Sequence, residues 1–472
     1  MTELVAQLGT PPVSPALPAS AADRAHELAE RSRALADLLS GDGSGLSRFN
    51  IFQGYIAVLA VAFLITLVST PLMRRLAVAN GIIDRPSEAR KVHRIPVAYL
   101  GGVAVYLGIL GAILLAYTAP FHHLIDFHPS RHLTENPLDN NVPLSVLAGM
   151  TVIMLIGLLD DVVGISPRLK IGGQLFAAAV LALDNVGVSL AGGLMKPFGA
   201  MIGNVDLVWH IPVPIPGFPE GIRFDLIYWT GTALIAIFVL GSCNASNLID
   251  GLDGLLSGVT TIVAAGILII ALTLAYRDDG PRDPARIILC LAVMGACLGF
   301  LPHNFNPASI FLGDTGSMLL GFSVCALILT LGDTGKTHLV LAGLIIYAIP
   351  IIDTTLAIFR RKVSGKRISD ADDQHLHHML KRALGVKGAV FALYGIGIGF
   401  AALGVAMSLG GGRLTYALTM IFAAFIGVTA FKIARRNQIE HQAALYDAAR
   451  SPANVSAAPA PSAAAPSAAR SA

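Results

Sequence analysis

Charge is what this chain has least of. Only 13% of its 472 residues are Asp, Glu, Lys or Arg while 54% are hydrophobic, and the mean hydropathy is +0.68, which excludes an ordinary soluble domain and fits a polytopic membrane protein. A net charge of +3 is too small to imply a nucleic-acid partner. Cysteine is also scarce. Cys243, Cys290, Cys297 and Cys325 all fall in apolar runs without metal-type pairing, so they read as small buried hydrophobes, and neither disulfides nor redox chemistry is indicated. No apolar stretch resembling a signal peptide occurs in residues 1–48, which are rich in Ala, Pro, Ser and charge and read as a mobile tail with a surface helix between Ala21 and Leu39.

What the chain does have is long apolar runs of the ~20 residues that a helix needs to cross a bilayer. They are expected at Gly54–Met73, Tyr99–Tyr117, Pro143–Leu159, Ile171–Leu190, Leu226–Ser246, Leu255–Tyr276, Ala285–Leu301, Ser317–Leu331, His338–Phe359, Ala389–Leu409 and Leu414–Ile433. The expected fold is thus an all-α polytopic membrane protein of about eleven transmembrane helices. Its domain would cover residues 49–433, with an Ala/Pro/Ser-rich tail over 434–472 that cannot form a packed core. Ser317–Leu331 is short and contains glycine; without it every later loop would change sides. Between Gly192 and Asp225 a Pro- and Gly-rich connection reads as a small lid or β-hairpin.

Basic residues concentrate after the first, third and ninth spans: Arg74 to Arg94, then Arg168 and Lys170, then Arg360, Arg361, Lys362, Lys366, Arg367, Lys381, Arg382 and Lys387. Short cytoplasmic loops carry such an excess, which places the N-terminus outside and the C-terminus in the cytoplasm.

The same side collects costly polar groups. Asn244, Asn247, Asp250 and Asp253 follow one another at spacings of three at the end of an apolar run, where uncompensated side chains of this type are expensive and therefore paired, hydrated or functional. Gly251 and Gly254 should interrupt the helix there. Asp160 and Asp161 end the third span, and two adjacent carboxylates do not both ionise cheaply without a nearby cation or donor. Asn304, Asn306 and Phe311 lead into Gly313-Asp314-Thr315-Gly316-Ser317, which reads either as a phosphate-and-metal turn or as a helix start with an Asp cap. In the last basic loop His375, His377 and His378 lack the cysteines or spaced fourth ligand of a zinc site and read better as donors to a diphosphate-sized anion. Oxygen ligands without thiolates suit Mg²⁺ or Mn²⁺, and such a cation beside basic donors suits phosphoryl transfer between a lipid and a soluble phosphate carrier. Intramembrane acids also mark transport paths, but here they cluster at span ends instead of the bilayer midplane.

Asp160-Asp161, the run Asn-Ala-Ser-Asn-Leu-Ile-Asp-Gly-Leu-Asp-Gly-Leu from Asn244, Phe-Leu-Gly-Asp-Thr-Gly-Ser from Phe311 and His-Leu-His-His from His375 resemble the polyprenyl-phosphate N-acetylhexosamine-1-phosphate transferases. The likeness extends from about Gly81 to Leu384, and the histidine pattern is similar to the branch that uses UDP-GlcNAc, not the one that uses UDP-MurNAc-pentapeptide. It implies a bacterial inner-membrane enzyme transferring GlcNAc-1-phosphate from UDP-GlcNAc to undecaprenyl or decaprenyl phosphate with Mg²⁺, Mn²⁺ being a substitute. Besides these two substrates and the membrane, a second copy of the chain is a possible partner in a homodimer; nucleic acid is not one.

Carried over by position, the resemblance makes Asp314 the main metal ligand and Asn247 a second contact. Asp160, or else Asp161, becomes the base near the lipid phosphate. Phe311 would stack on uracil, Asn304 and Asp253 would orient the uridine side with Asp250 beside them, Asn244 is a further substrate-binding residue, and His375, His377 and His378 would meet the diphosphate or sugar. Lys91 and His93 would meet the lipid phosphate. Two departures stand out. Gly164 replaces an acid that relatives often carry, and Ala98 and Tyr99 replace a proline and a basic residue.

Overall fold

The structure is a computed structural model that describes residues 48–84, 96–118, 141–211, 222–276, 283–333, 335–363, 375–410, 415–429 and 432. The tail helix expected at Ala21–Leu39, the tail 434–472, Lys91 and His93 lie outside the described residues. The chain divides into two units, Met1–Gln53 and Gly54–Ala472, and every contact given below lies within the second.

The elements in order are α1 (Arg48–Ala79), β1 (Ile83–Asp84), β2 (Val97–Ala98), α2 (Gly101–Ala116), α3 (Leu144–Val163), α4 (Pro167–Leu183), α5 (Ser189–Met201), β3 (Val208–Ile211), β4 (Ile222–Asp225), α6 (Leu226–Ile249), α7 (Leu255–Tyr276), α8 (Asp283–Asn304), α9 (Gly313–Gly332), α10 (Thr337–Ile346), α11 (Ala348–Val363), α12 (Leu376–Ser408) and a shorter apolar helix, α13 (Thr415–Thr429). Seven helices among the described residues, α1, α3, α6, α7, α8, α9 and α12, are long and apolar enough to cross a membrane. Joined, α10 and α11 make an eighth. The protein is an all-α polytopic membrane protein, and every apolar run of the sequence is helical over most of its described residues.

Three expectations change in detail. The run His338–Phe359 is bent by 76° where α10 gives way to α11. Pro350 in the first turn of α11 has no N–H for the carbonyl four residues earlier, and its ring crowds that carbonyl, so a straight helix cannot continue. The break is fastened at Tyr347, whose hydroxyl lies 2.6 Å from Ser246 Oγ and donates to the Ser242 carbonyl at 3.1 Å. The run Ile171–Leu190 stops at Leu183, and Ser189–Met201, which includes the start of the expected lid, forms a separate helix; the hairpin follows as β3 and β4, paired antiparallel with Val208 opposite Asp225. Within α12, Gly385 is non-helical (φ 73°, ψ 177°), which separates a foot, Leu376–Leu384, from the expected span at Ala389–Leu409.

The short Gly-containing run is the centre of the bundle. Every residue of α9 from Thr315 to Gly332 is buried, against α2, α3, α6, α7, α8 and α10. Since lipid is as apolar as leucine, helices in a membrane gain from close packing of small residues more than from leaving water. Gly157 of α3 and Gly102 of α2 provide it: a Cβ at Gly157 would lie 2.5 Å from Thr315 Cα, and one at Gly102 would lie 2.1 Å from the Gly316 nitrogen. Both contacts are with backbone, so neither neighbour can yield. These two glycines fix the height of the α9 N-terminus beside the C-terminal end of α3.

Candidate active site

At that end of the bundle α3 finishes in Asp160 and Asp161, and the two adjacent acids part company. Asp161 turns to α9. Its Oδ1 accepts from the Asp314 N–H at 2.8 Å, and its Oδ2 accepts from the Thr315 N–H at 3.0 Å and the Thr315 hydroxyl at 2.5 Å. A carboxylate on the orphan N–H groups of a helix start satisfies donors that the helix itself cannot, and its charge suits the positive end of the dipole. The cap of α9 therefore comes from Asp161 in another helix, which leaves the Asp314 side chain free for other work.

Asp314 Oδ2 lies 2.5 Å from Lys170 Nζ, which is also 2.6 Å from Asp160 Oδ2. Asp314 Oδ1 accepts from Asn247 Nδ2 at 2.8 Å, and the same amide donates to Ser317 Oγ at 2.9 Å. Asp160 Oδ1 accepts from the Ile165 N–H at 3.0 Å, closing the turn at Gly164. Lys170 is placed by local signals: Ser166 caps α4 through the Leu169 N–H and Pro167 opens it, so Lys170 falls one turn in and faces back to α3. One ammonium thus bridges two half-buried carboxylates. Nearby, burial and then the charges of Asp314, Asp161 and Asp253 push the Asp250 carboxyl up to about 8. Negative charge here exceeds the positive charge that the described residues supply.

Beyond α6 the chain leaves helical geometry at Asp250, and Gly254 has a φ of +79°, a conformation that glycine adopts without a Cβ clash. Asp253 Oδ2 accepts from Asn306 Nδ2 at 2.8 Å and from the Ala308 N–H at 3.1 Å. Asn304 is buried and committed: Oδ1 accepts from the Gly254 N–H at 3.1 Å and Ser257 Oγ at 3.3 Å, and Nδ2 donates to the Ile310 carbonyl at 3.1 Å. Asn244 is exposed, with Nδ2 on Gln174 Oε1 at 3.0 Å and on the Leu240 carbonyl at 2.7 Å. Half-buried Phe311 joins this loop to the first basic segment. Its N–H donates to the Ala98 carbonyl at 2.9 Å, its carbonyl accepts from Gly101, and its ring centroid is 6.3 Å from that of Tyr99.

The histidines reach the same place from α12. A Cβ on Gly251 would sit 2.4 Å from His377 Nε2, so the loop after α6 passes directly over that ring. His375 Nδ1 is 2.9 Å from Asp353 Oδ2, the Leu376 N–H donates to Asp353 Oδ1 at 2.6 Å, and His377 Nδ1 is 3.6 Å from Asp353 Oδ2. His378 packs on His377 with ring centroids 4.3 Å apart. Asp353, His375 and His377 each bring a ligand atom within 4.8 Å of the others, a spacing that could hold a metal ion.

The structure therefore brings together Asp160, Asp161, Asp314 and Asn247 directly, while the turn Asp250–Gly254 carries Asp250 and Asp253 and meets Asn304 at Gly254 and His377 at Gly251, and Phe311 lies three residues before Asp314. Sequence reasoning missed Lys170, used there only as a marker of sidedness, and Asp353, a lone acid in an apolar run. A search for carboxylates inside spans would have found the latter.

Residues 143–332, which hold α3 to α9, match glycosyl transferase family 4. A probable undecaprenyl-phosphate N-acetylglucosaminyl 1-phosphate transferase of Bacillus subtilis is 31% identical over 347 residues, 73% of this chain and 82% of that protein. The chain belongs to the polyprenyl-phosphate N-acetylhexosamine-1-phosphate transferase family. Within the family it is also similar to a decaprenyl-phosphate N-acetylglucosaminephosphotransferase of Mycobacterium tuberculosis, 34% identical over 365 residues, 74% of this chain and 81% of the other. A phospho-N-acetylmuramoyl-pentapeptide-transferase of Bacillus cytotoxicus is 30% identical over 342 residues, 70% and 90% of the two chains.

Proposed function

We propose that the protein transfers GlcNAc-1-phosphate from UDP-GlcNAc to undecaprenyl or decaprenyl phosphate and releases UMP, opening the membrane stage of envelope glycan synthesis. The observation that carries this reading is the bridge Asp160–Lys170–Asp314, a cation already drawn between two carboxylates of a family transferase. We read the chain as eleven spans over residues 49–433, counting α2, α4 and α13 beside the longer helices, in a bacterial plasma membrane. The N-terminus is outside and the C-terminus is in the cytoplasm. The basic loops support this orientation.

The carboxylate group fits a hard divalent cation: its donors are oxygens, its negative charge is in excess, and the position between Asp160 and Asp314 attracts the ammonium in reach. Asp314 and Asn247 would hold Mg²⁺, or Mn²⁺, which when bound neutralises phosphate charge and favours departure of UMP. The residues of the chain do the rest. A lipid phosphate monoester, with a second pKa near ~6, is largely a dianion at pH 7 and needs no strong base. One of its oxygens attacks the phosphorus that carries GlcNAc. A new O–P bond forms as the bond to UMP breaks, and UMP leaves with the electron pair. Asp160 is the base beside the lipid phosphate and takes the remaining proton where the monoester is still a monoanion, and Lys170 balances the charge of the two acids. Asp161 acts by holding the start of α9, and Asn304 by holding the loop at Gly254. Phe311 stacks on uracil, with Asp253, Asp250 and Asn244 on the nucleotide side. His375, His377 and His378 meet the diphosphate or sugar, and Lys91 and His93 meet the lipid phosphate.

UDP-MurNAc-pentapeptide is the competing donor, since the Bacillus cytotoxicus relative is 30% identical. The relatives named for N-acetylglucosamine, at 31% and 34%, and the interrupted histidine run favour GlcNAc. Membranes containing the protein, given polyprenyl phosphate and a panel of labelled UDP-sugars with and without Mg²⁺, decide the matter. UDP-GlcNAc alone should yield lipid-linked sugar, and only with the cation. Transfer from a different donor would overturn the choice of sugar, and uptake without transfer would favour a transporter.

A further inference from the structure

The histidine group contains a carboxylate for which the transfer reaction has no direct use. Asp353 is 1% exposed on α11, yet both of its oxygens are engaged, Oδ2 with His375 Nδ1 at 2.9 Å and Oδ1 with the Leu376 N–H at 2.6 Å. An ionised carboxylate only accepts, so the proton of His375 must sit on Nδ1, leaving Nε2 on the opposite edge of the ring. The Leu376 contact is of a second kind: it satisfies a backbone donor at the start of α12 and so fixes where the foot of that helix begins. His377, buried with its Nδ1 lacking a hydrogen-bond partner, points that atom at the same Oδ2 from 3.6 Å while its Nε2 edge lies under Gly251.

A metal ion is the other occupant that this spacing allows, but the group argues against one. The 2.9 Å separation of His375 Nδ1 and Asp353 Oδ2 is that of a hydrogen bond with its proton in place, the second oxygen is occupied by backbone, and three ligands fall short of the four of a closed structural site.

We infer that Asp353 is a positioning residue for donor binding: it sets the tautomer of His375 and the start of α12, and thereby presents His375 and His377 to the diphosphate of the UDP-sugar beneath the Gly251 loop. The bend at Tyr347 gives α10 and α11 their purpose in this arrangement, because α11 carries Asp353 to the foot of α12 while Tyr347 stays fastened to Ser246 of α6. The inference rests on the transferase reading given above.

Its test uses the full chain in detergent or nanodiscs. Asp353→Asn should raise the KM for UDP-GlcNAc by about 10- to 100-fold, the range for losing a charge-assisted hydrogen bond. The KM for polyprenyl phosphate should stay unchanged, and Asp353→Glu should recover part of the loss. Equal changes in both KM values, or none, would overturn the inference. Should Asp353→Asn fail to fold, ¹⁵N-histidine NMR of the wild-type protein still decides. The signal that disappears in His375→Gln should report a proton on Nδ1, and a proton on Nε2 would overturn the assignment. So would stoichiometric zinc in the purified protein that is lost in His375→Gln. A wild-type protein that transfers no sugar would instead sink the transferase reading, with the NMR result still standing or falling by itself.

Discussion

Around Asp314 the acids outnumber the bases: Asp160, Asp161 and Asp250 surround it, and Lys170 is the ammonium in contact. Around Asp353 the proportion reverses, with two imidazoles and a backbone N–H directed at one carboxylate. Buried charge is tolerated only when paired and hydrogen-bonded, so the Asp353 carboxylate is satisfied as it stands, with both oxygens engaged, whereas the first group has more acids than the single ammonium in contact can balance. Apparent similarity in composition, acids with nearby donors, hides two functions. On the proposed function, one group receives a ligand and the other holds side chains in place.

The largest expected effect breaks the first group. Asp314→Asn keeps shape and removes charge, and UMP release from UDP-GlcNAc should fall by about 10³-fold, the scale for removing one element of electrostatic stabilisation. Next is the seam between the groups. Gly251→Ala drives a methyl into His377 Nε2, and overpacking of about 1–3 kcal/mol should appear mainly as weaker UDP-GlcNAc binding by titration calorimetry. Adding His377→Ala supplies the space, so the double variant should lose less than the sum of the singles; additivity would mean that the two residues do not meet. Asp161→Ala removes the cap of α9 and should cost about 1–2 kcal/mol of stability, seen as a lower Tm by scanning fluorimetry. The neighbouring Asp160→Ala gives up one turn hydrogen bond and should lower Tm less than Asp161→Ala while lowering activity more. If the two variants behave alike, the division of labour between the adjacent acids is wrong.

The smallest effect is a pH dependence. Asp250, raised to about 8 in the fold from the ordinary carboxylate value of 3.8, binds its proton more tightly folded than unfolded. Its contribution to stability is therefore full below about pH 4 and is lost as pH rises through about 8. Asp250→Asn should flatten that slope in the absence of divalent cations, and added Mg²⁺ should flatten it in the wild type. A slope unchanged by either would remove Asp250 from the charge excess.

Much of this was legible in the residues. Apolar length gave the helices, since a membrane span needs its backbone bonds inside the segment whatever it packs against. The motif residues Asp160, Asn247, Asp253, Asp314 and His377 do converge at one end. What sequence periodicity could not give was contact between distant segments. Gly313-Asp314 allowed either a capping Asp or a free one, and the answer depended on Asp161, which fills the cap from 153 positions away. The bend at Tyr347 was invisible because an apolar run reads the same straight or broken, although Pro350 carried the signal. Lys170 looked like a topology marker because its partner Asp160 is ten residues back, across a turn whose geometry Gly164 and Ser166 set.

On the proposed function the cation binds at the carboxylates and not at the histidines. Mn²⁺ binding followed by electron paramagnetic resonance, on the wild type and on the Asp314→Asn and Asp353→Asn variants, addresses it directly. The wild type should take up one Mn²⁺ that Mg²⁺ displaces, Asp314→Asn should not, and Asp353→Asn should bind it as the wild type does. Binding kept in Asp314→Asn and lost in Asp353→Asn would contradict the account.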